Sequence, residues 1–322
     1  MATLQLGPAT AMRDVFGQKL LELSKTDPRV YALDGDLGTS TKLDVVEKGN
    51  PEKFLQMGIA EQNMIGVAAG MATVGLQPWV CSFATFIVKR ALDQIFVTVA
   101  QPRLDVKLIG AYSGLLTGLT GKTHQGLEDL AIMRTIPYMV VLAPADAADV
   151  CKVMEFANRY EGPVYIRLAR DPLPNLFDER THTFELGKAV QIRDGRDVTL
   201  IATGTQTVRS VEAVKRLEER GIDVRLLHMP SIKPIDVESI VAAAEQTGAI
   251  VTAEEHTIYG GLGSAVAEVL AEHCPVPMLR VGVKDRNSES GPNDALLKKY
   301  EIDMDHIVQA VETMARRKGS LR

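Results

Sequence analysis

Glu61 has the most informative chemical setting in this chain. It lies in FLQMGIAEQNMIG (54–66), between a short apolar, strand-like run and a helical run rich in glycine and alanine. An acid in the first turn of a helix has a plain reading, since it opposes the positive end of the helix dipole. Held out of water, the same carboxyl group could move a proton. Downstream, WVCSFATF (79–86) supplies Phe83 and Phe86. Two such rings commonly belong to a core. They can also hold a flat heteroaromatic ring, a contact of roughly 0.5–1.5 kcal/mol beyond burial. His124 sits in Thr123-His124-Gln125, just before the helix-opening GLEDLA. A loop histidine is ordinarily a surface residue, yet its unperturbed pKa of about 6.5 lets it give or take a proton near neutrality. Arg13 in MRDVFG and Arg170 closing VYIRLAR carry guanidinium forks that match phosphate oxygens in pairs. Either one alone reads as a surface charge.

Two tempting motifs fail. Gly121-Lys122-Thr123 ends like a phosphate-binding loop, but the required first glycine falls at Leu116. Gly261-Leu262-Gly263 lacks the third glycine of a dinucleotide fingerprint.

The elements that must position these groups follow from patterning. Apolar runs at 30–33, 106–112, 138–143 and 164–168 alternate with helical patterns at 12–24, 61–74, 85–100, 127–134 and 145–159. Such alternation predicts an α/β fold with a mostly parallel sheet covered on both faces. The stretch 171–183, DPLPNLFDERTHT, has two prolines and no periodicity, so it reads as a linker. Beyond it, strands at 198–202, 224–227, 249–253 and 278–281 interleave with helices at 208–220, 237–246, 263–272 and 307–316. We expect two doubly wound domains, 1–185 and a smaller 186–322. The basic tail ARRKGSLR reads as a frayed end.

At 322 residues, 46% hydrophobic and 24% charged, the composition is that of an ordinary globular protein. The net charge of −5 gives no support to nucleic-acid binding. Three distant cysteines suggest neither a zinc site nor a disulfide framework. With no signal-peptide pattern at the start, a cytoplasmic location is expected. The most apolar stretch, 64–80, is broken by three glycines, Gln77 and Pro78, so no membrane span is expected.

Taken together, GIAEQNM, the Phe83/Phe86 segment and THQ resemble thiamine-diphosphate enzymes of the transketolase group. The likeness is closest to split transketolases, whose halves are separate chains. It covers nearly the whole chain, as a pyrimidine-binding domain followed by the family's C-terminal domain. The resemblance implies transfer of a two-carbon ketol unit from a ketose, or its phosphate, to an aldose. Glu61 would touch N1′ of the aminopyrimidine and favour the imino tautomer that activates the cofactor. We expect it buried, with a pKa raised by desolvation. Phe83 and Phe86 would pack on the pyrimidine. His124 would face the reactive carbon. Asp36 and Leu37 match residues that reach across the family's dimer interface towards the cofactor. Arg13, Ser40 in DGDLGTS and Arg170 match phosphate binders. The EEHTIYGGLGSA segment around His256 is expected to be structural, its glycines packing a helix on a strand.

The family's Gly-Asp-Gly…Asn motif, which holds Mg²⁺ and the diphosphate, is absent; the nearest text, Gly35-Asp36-Leu37, fails at its third position. The resemblance therefore implies an N-terminal partner subunit that carries this motif and holds Mg²⁺, in an α2β2 assembly. The chain also departs from the pattern at 111–122, AYSGLLTGLTGK. Tyr112 replaces a phosphate-contacting histidine, Thr120 an aspartate that reads a donor hydroxyl, and Leu119 the acid before it. Lys89 stands where many members have a tyrosine. Losing a substrate-reading carboxylate suggests a specialised donor. The alternatives are the β-subunit of a 2-oxoacid dehydrogenase, a deoxyxylulose-phosphate-synthase-like enzyme, and a non-catalytic subunit of the same fold.

Overall fold

Short strands separated by amphipathic helices must be joined by crossovers, and crossovers place successive strands parallel. The computed structural model, which describes residues 6–320, shows this twice. The first sheet has seven strands in the order Ser231–Lys233, Val140–Leu142, Val164–Arg167, Lys107–Ala111, Gln77–Phe83, Val30–Asp34 and Phe54–Gln56. All neighbours pair parallel except Ser231–Lys233, which runs antiparallel at the edge. The second has five, in the order Met278–Val283, Ile250–Thr257, Val198–Ala202, Val224–His228 and Val190–Arg193, with only the last antiparallel. The fold is thus mixed α/β with two mostly parallel sheets.

Gln77–Phe83 shows why the first sheet sits at the centre of a core. All of its residues are buried. Trp79, Cys81 and Phe83 pack on one face with Phe16 and Leu20, while Val80 packs on the other with Leu33, Met64 and Ile65. That two-sided burial is the signature of a covered parallel sheet. Register then brings the strand ends level: Asp34 lies beside Cys81, Phe83 beside Ala111, and Gly110 beside Arg167. The loops that follow these strands therefore share one edge of the sheet.

Several expectations need correction. The helix expected at 85–100 is three pieces, Ala84–Arg90, Leu92–Gln94 and a wider π-type turn at Ile95–Ala100. The segment read as a linker is docked: Leu173–Pro174 pairs antiparallel with Ala9–Thr10, and Asp146 accepts from the amides of Leu176 (2.6 Å) and Phe177 (2.8 Å). The basic tail is helical to Ser320, and Lys318 donates to the carbonyls of Arg196 and Asp197. A helix at Asn293–Lys299 follows Pro292 and had no clear periodic signal. Among the described residues, no helix is long and apolar enough to cross a membrane.

One buried network joins the two sheets through that docked segment. The Asp149 carboxylate meets His182 Nε2 and His228 Nε2, each at 2.9 Å, and accepts from the Ala145 amide. Burial alone would push this carboxyl up, but hydrogen bonds and charge from the two imidazoles hold it well below the usual carboxylate range. A depressed folded-state pKa stabilises above the unfolded value, about 3.9, and the contribution is lost as pH falls. Asp149→Asn should cost roughly 3 kcal/mol or more at neutral pH. Urea unfolding should show that gap narrowing as pH drops below about 4.

Candidate active site

The carboxyl edge of the first sheet collects the chemically interesting side chains. Phe83 is the last residue of its strand, Tyr112 directly follows Lys107–Ala111, and Arg170 lies just beyond Val164–Arg167. Glu61 begins the helix Glu61–Thr73, and Arg13 lies in the first turn of Met12–Thr26. In parallel α/β sheets this edge is where ligands bind.

A chain of ring contacts links these positions. Phe83 stacks on Tyr112, with centroids 4.1 Å apart and planes 17° from parallel. Phe86 lies 5.7 Å from Phe83. The His124 ring meets both edge-on, at 5.9 Å from Phe83 and 5.2 Å from Phe86. Thr123 Oγ1 lies 2.9 Å from His124 Nδ1 and orients the imidazole. Tyr112 adopts a left-handed backbone, φ 56°, which is rare and strained for a bulky residue.

Glu61 is 3% exposed, as expected. It is not a lone buried acid, however. Arg90 Nη1 donates to its Oε1 at 3.0 Å, and Ser82 Oγ lies 3.5 Å from the same oxygen. Arg90 also lies over the Phe86 ring, 4.0 Å from its centroid. Its position four residues after Phe86 on one helix was the available sequence signal, but Glu61 is distant in sequence.

The arginines converge on Tyr112. Arg13 Nη1 donates to the Tyr112 hydroxyl at 2.7 Å and to the Ser40 carbonyl at 2.9 Å. Ser40 thus meets Arg13 through its backbone. The Arg170 guanidinium lies 5.5 Å from the Tyr112 centroid and pairs with Asp171 at 2.7 Å. The Nε atoms of both Arg13 and Arg170 are buried without a partner among the described residues. Unpaired buried donors are costly and mark a place for an acceptor.

Asp36 and Leu37 stand on the same edge; the Leu37 carbonyl accepts from the Ser40 amide at 2.9 Å, but neither residue bonds the rings or the arginines. Asp36 is exposed in a left-handed turn, and its amide donates to Gln56 Oε1. The turn is held by Asp34, which accepts from the amides of Leu37 and Gly38 and from Gln56 Nε2. Burial pushes the Asp34 carboxyl up. Thr120 is also outside the cluster: its hydroxyl bonds to the Thr117 carbonyl at 2.6 Å, in a turn that packs near Asn293. Lys89 is exposed and pairs with Glu128 at 2.8 Å. Among the described residues, no group of three or more His, Cys, Asp or Glu side chains is placed to hold a metal.

Glu255 was missed as a site-shaping residue. It is buried, on the second sheet, and accepts from the amides of Leu115 (2.6 Å) and Leu116 (3.0 Å) and from Thr205 Oγ1 (2.6 Å). It thereby fixes the loop that begins at Tyr112. Its neighbour Glu254 accepts from the amides of Leu262 and Gly263, at the start of the helix Leu262–His273. A Cβ on Gly261 would come 2.1 Å from Glu254, so this glycine is required by close packing, as expected for the segment.

The geometry agrees with the sequence relationships of the chain. Residues 9–175 match the model for the transketolase pyrimidine-binding domain, and 187–307 that for the transketolase C-terminal domain. The chain belongs to the transketolase family. It is 41% identical over 308 residues to a 6-deoxy-6-sulfo-D-fructose transketolase subunit from Clostridium sp. (strain MSTE9), covering 96% of this chain and 95% of that one. It is 39% identical over 297 residues to an apulose-4-phosphate transketolase subunit from Phocaeicola vulgatus, covering 92% and 95%. Among solved structures it is similar to a split-gene transketolase described as an inactive β4 tetramer. That match has a TM-score of 0.89 and 45% identity, covering 95% of this chain and 98% of that one. This is therefore a transketolase-family subunit of the split type, in a thiamine-dependent enzyme class.

Glu255→Ala in this transketolase-family chain should leave the Leu115 and Leu116 amides buried and unpaired, at a total cost of about 2–5 kcal/mol. Denaturant unfolding measures that loss, and faster amide exchange across 112–116 should accompany it.

Proposed function

We propose that this chain is the C-terminal subunit of a two-chain transketolase, active with an N-terminal partner that carries Gly-Asp-Gly…Asn. Residues 1–185 would form the pyrimidine-binding unit and 186–322 the C-terminal one. The observation that carries the reading is a buried carboxylate, Glu61, tied through Arg90 to Phe86 and so to the aromatic group Phe83, Phe86 and His124. Flat apolar walls next to one buried acid suit an aminopyrimidine ring. When bound, thiamine diphosphate would supply the carbanion that accepts the two-carbon unit. Glu61 would hold the proton at the ring nitrogen N1′, Phe83 and Phe86 would exclude water, and His124 would move protons on substrate hydroxyls. The sequence lacks the Gly-Asp-Gly…Asn motif, so the partner would provide the site for the diphosphate and Mg²⁺.

A partner is supported by the face around Glu61–Thr73. Ile59 (72%) and Val74 (75%) are largely exposed, and Phe96 and Val97 are exposed on the π-type turn that packs against this helix. Gly66 and Gly70 lie on the same helix, and a Cβ on either would meet no atom within 4 Å. Nothing inside the chain therefore requires those glycines, while close approach of another chain would. The related split-gene structure is an inactive assembly of β chains alone. We place this chain likewise: self-associating, and inactive without its partner, in an α2β2 enzyme.

The donor is proposed to be a ketose with an anionic terminus. Two relatives are named for a sulfo sugar and a sugar phosphate. The unpaired Nε donors of Arg13 and Arg170, with Ser40 alongside, suit such a group. Tyr112, which Arg13 bonds, and Thr120, in the same loop, would set donor choice. Asp36 and Leu37 would approach the cofactor from the same edge. The three cysteines are unpaired, which suits a reducing cytoplasm.

A ketol-transfer assay with the partner, thiamine diphosphate and Mg²⁺ tests this reading. Activity should require both chains and fall at least ~100-fold in Glu61→Ala. Decarboxylation of a 2-oxoacid without ketol transfer would overturn it. Tyr112→Phe removes the hydroxyl that Arg13 bonds and should raise the donor KM about 5- to 10-fold, with kcat less affected.

A further inference from the structure

We propose that Arg90 is a positioning residue that fixes which oxygen of Glu61 is held and which is left free to meet a ligand. The inference rests on the thiamine-diphosphate reading above and concerns how the acid is held.

Arg90 closes the helix Ala84–Arg90, where a cation is favoured by the helix dipole. That alone would leave its side chain free in water. Instead the guanidinium turns back across its own helix. It covers the Phe86 ring at 4.0 Å and donates to Glu61 Oε1 at 3.0 Å. The neighbouring cation, Lys89, pairs with Glu128 and does not compete for Glu61. Ser82 Oγ, at 3.5 Å, approaches the same Oε1. Both contacts thus fall on one oxygen, and Oε2 has no hydrogen bond among the described residues.

A carboxylate held at one oxygen loses its freedom to rotate about its last torsion. The free oxygen then points in one direction, ready for an N–H donor. The contact joins a cation to a carboxylate, and such charge-assisted hydrogen bonds are the stronger kind. Without Arg90, Glu61 would keep its burial but lose its orientation. Misplacement of about 1 Å at a reacting group can cost on the order of 100-fold in rate. Phe86 is part of the same device, since its ring supports the guanidinium that orients the acid, while His124 meets that ring edge-on.

The test compares wild type, Arg90→Gln and Arg90→Lys, each assembled with the N-terminal partner. Thiamine diphosphate affinity is measured by calorimetry, and the tautomer of the bound aminopyrimidine by near-ultraviolet circular dichroism. Thermal melting checks that each variant is folded. In Arg90→Gln the tautomer signal should change and kcat should fall ~10-fold or more, while cofactor Kd moves less than about threefold. Arg90→Lys should restore part of both, since it keeps the charge but not the fork. If Arg90→Gln keeps the wild-type signal, the positioning role is overturned, whatever happens to the rate. If the wild-type assembly binds no thiamine diphosphate, the cofactor reading fails first and takes this proposal with it.

Discussion

The site depends on buried carboxylates that reach across from one element to fix the backbone of another. Glu255, on the second sheet, holds the amides of Leu115 and Leu116 in the loop after Tyr112. Arg167 crosses the same junction, bonding Asp129 at 2.9 Å and the carbonyls of Gly126 and Glu255. Asp34 does the equivalent for the turn at Asp36 and Leu37. Loops at the carboxyl edge of a parallel sheet have no ladder of their own, so their amides need partners from elsewhere. A charged oxygen that is itself buried is a strong partner, and removing it leaves several donors unsatisfied at once.

This arrangement explains how a strained residue can persist at the site. The left-handed backbone of Tyr112 is unfavourable for a bulky side chain. It is sustained because the next turn is locked by Glu255, the ring is stacked on Phe83, and the hydroxyl is bonded by Arg13. Each contact alone is modest. Together they leave the loop no other place to go, so the phenol stands between two arginines. The same logic holds for Glu61, whose orientation comes from a residue on a different helix.

Much of the fold was legible in the sequence. Alternating strand and helix patterns gave the parallel sheets, because a period of two or of 3.6 residues fixes which face is buried. The helices at Met12–Thr26, Glu61–Thr73 and Ala147–Arg159 begin and end within a few residues of the expected bounds. The segment 171–183 misled because two prolines and absent periodicity describe a local chain, not what docks on it. Its fixation comes from Asp146, Asp149 and the strand Ala9–Thr10, all distant in sequence. The 85–100 helix misled in the other direction, since a continuous apolar pattern does not reveal where the backbone widens into a π-type turn.

For the site, the sequence by itself determined the chemical types: a carboxylate opening a helix, a pair of phenylalanines, a loop histidine and two arginines. Those follow from residue identity and local pattern, which need no partner. Only the tertiary structure decided that Arg90 occupies one oxygen of Glu61, that Tyr112 joins Phe83 to Arg13, and that Thr120 turns away towards Thr117. Only it showed that Glu255 belongs to the site, although it lies 140 residues from the amide it holds. Such contacts depend on strand register and loop path, which are set by the packing of the whole chain.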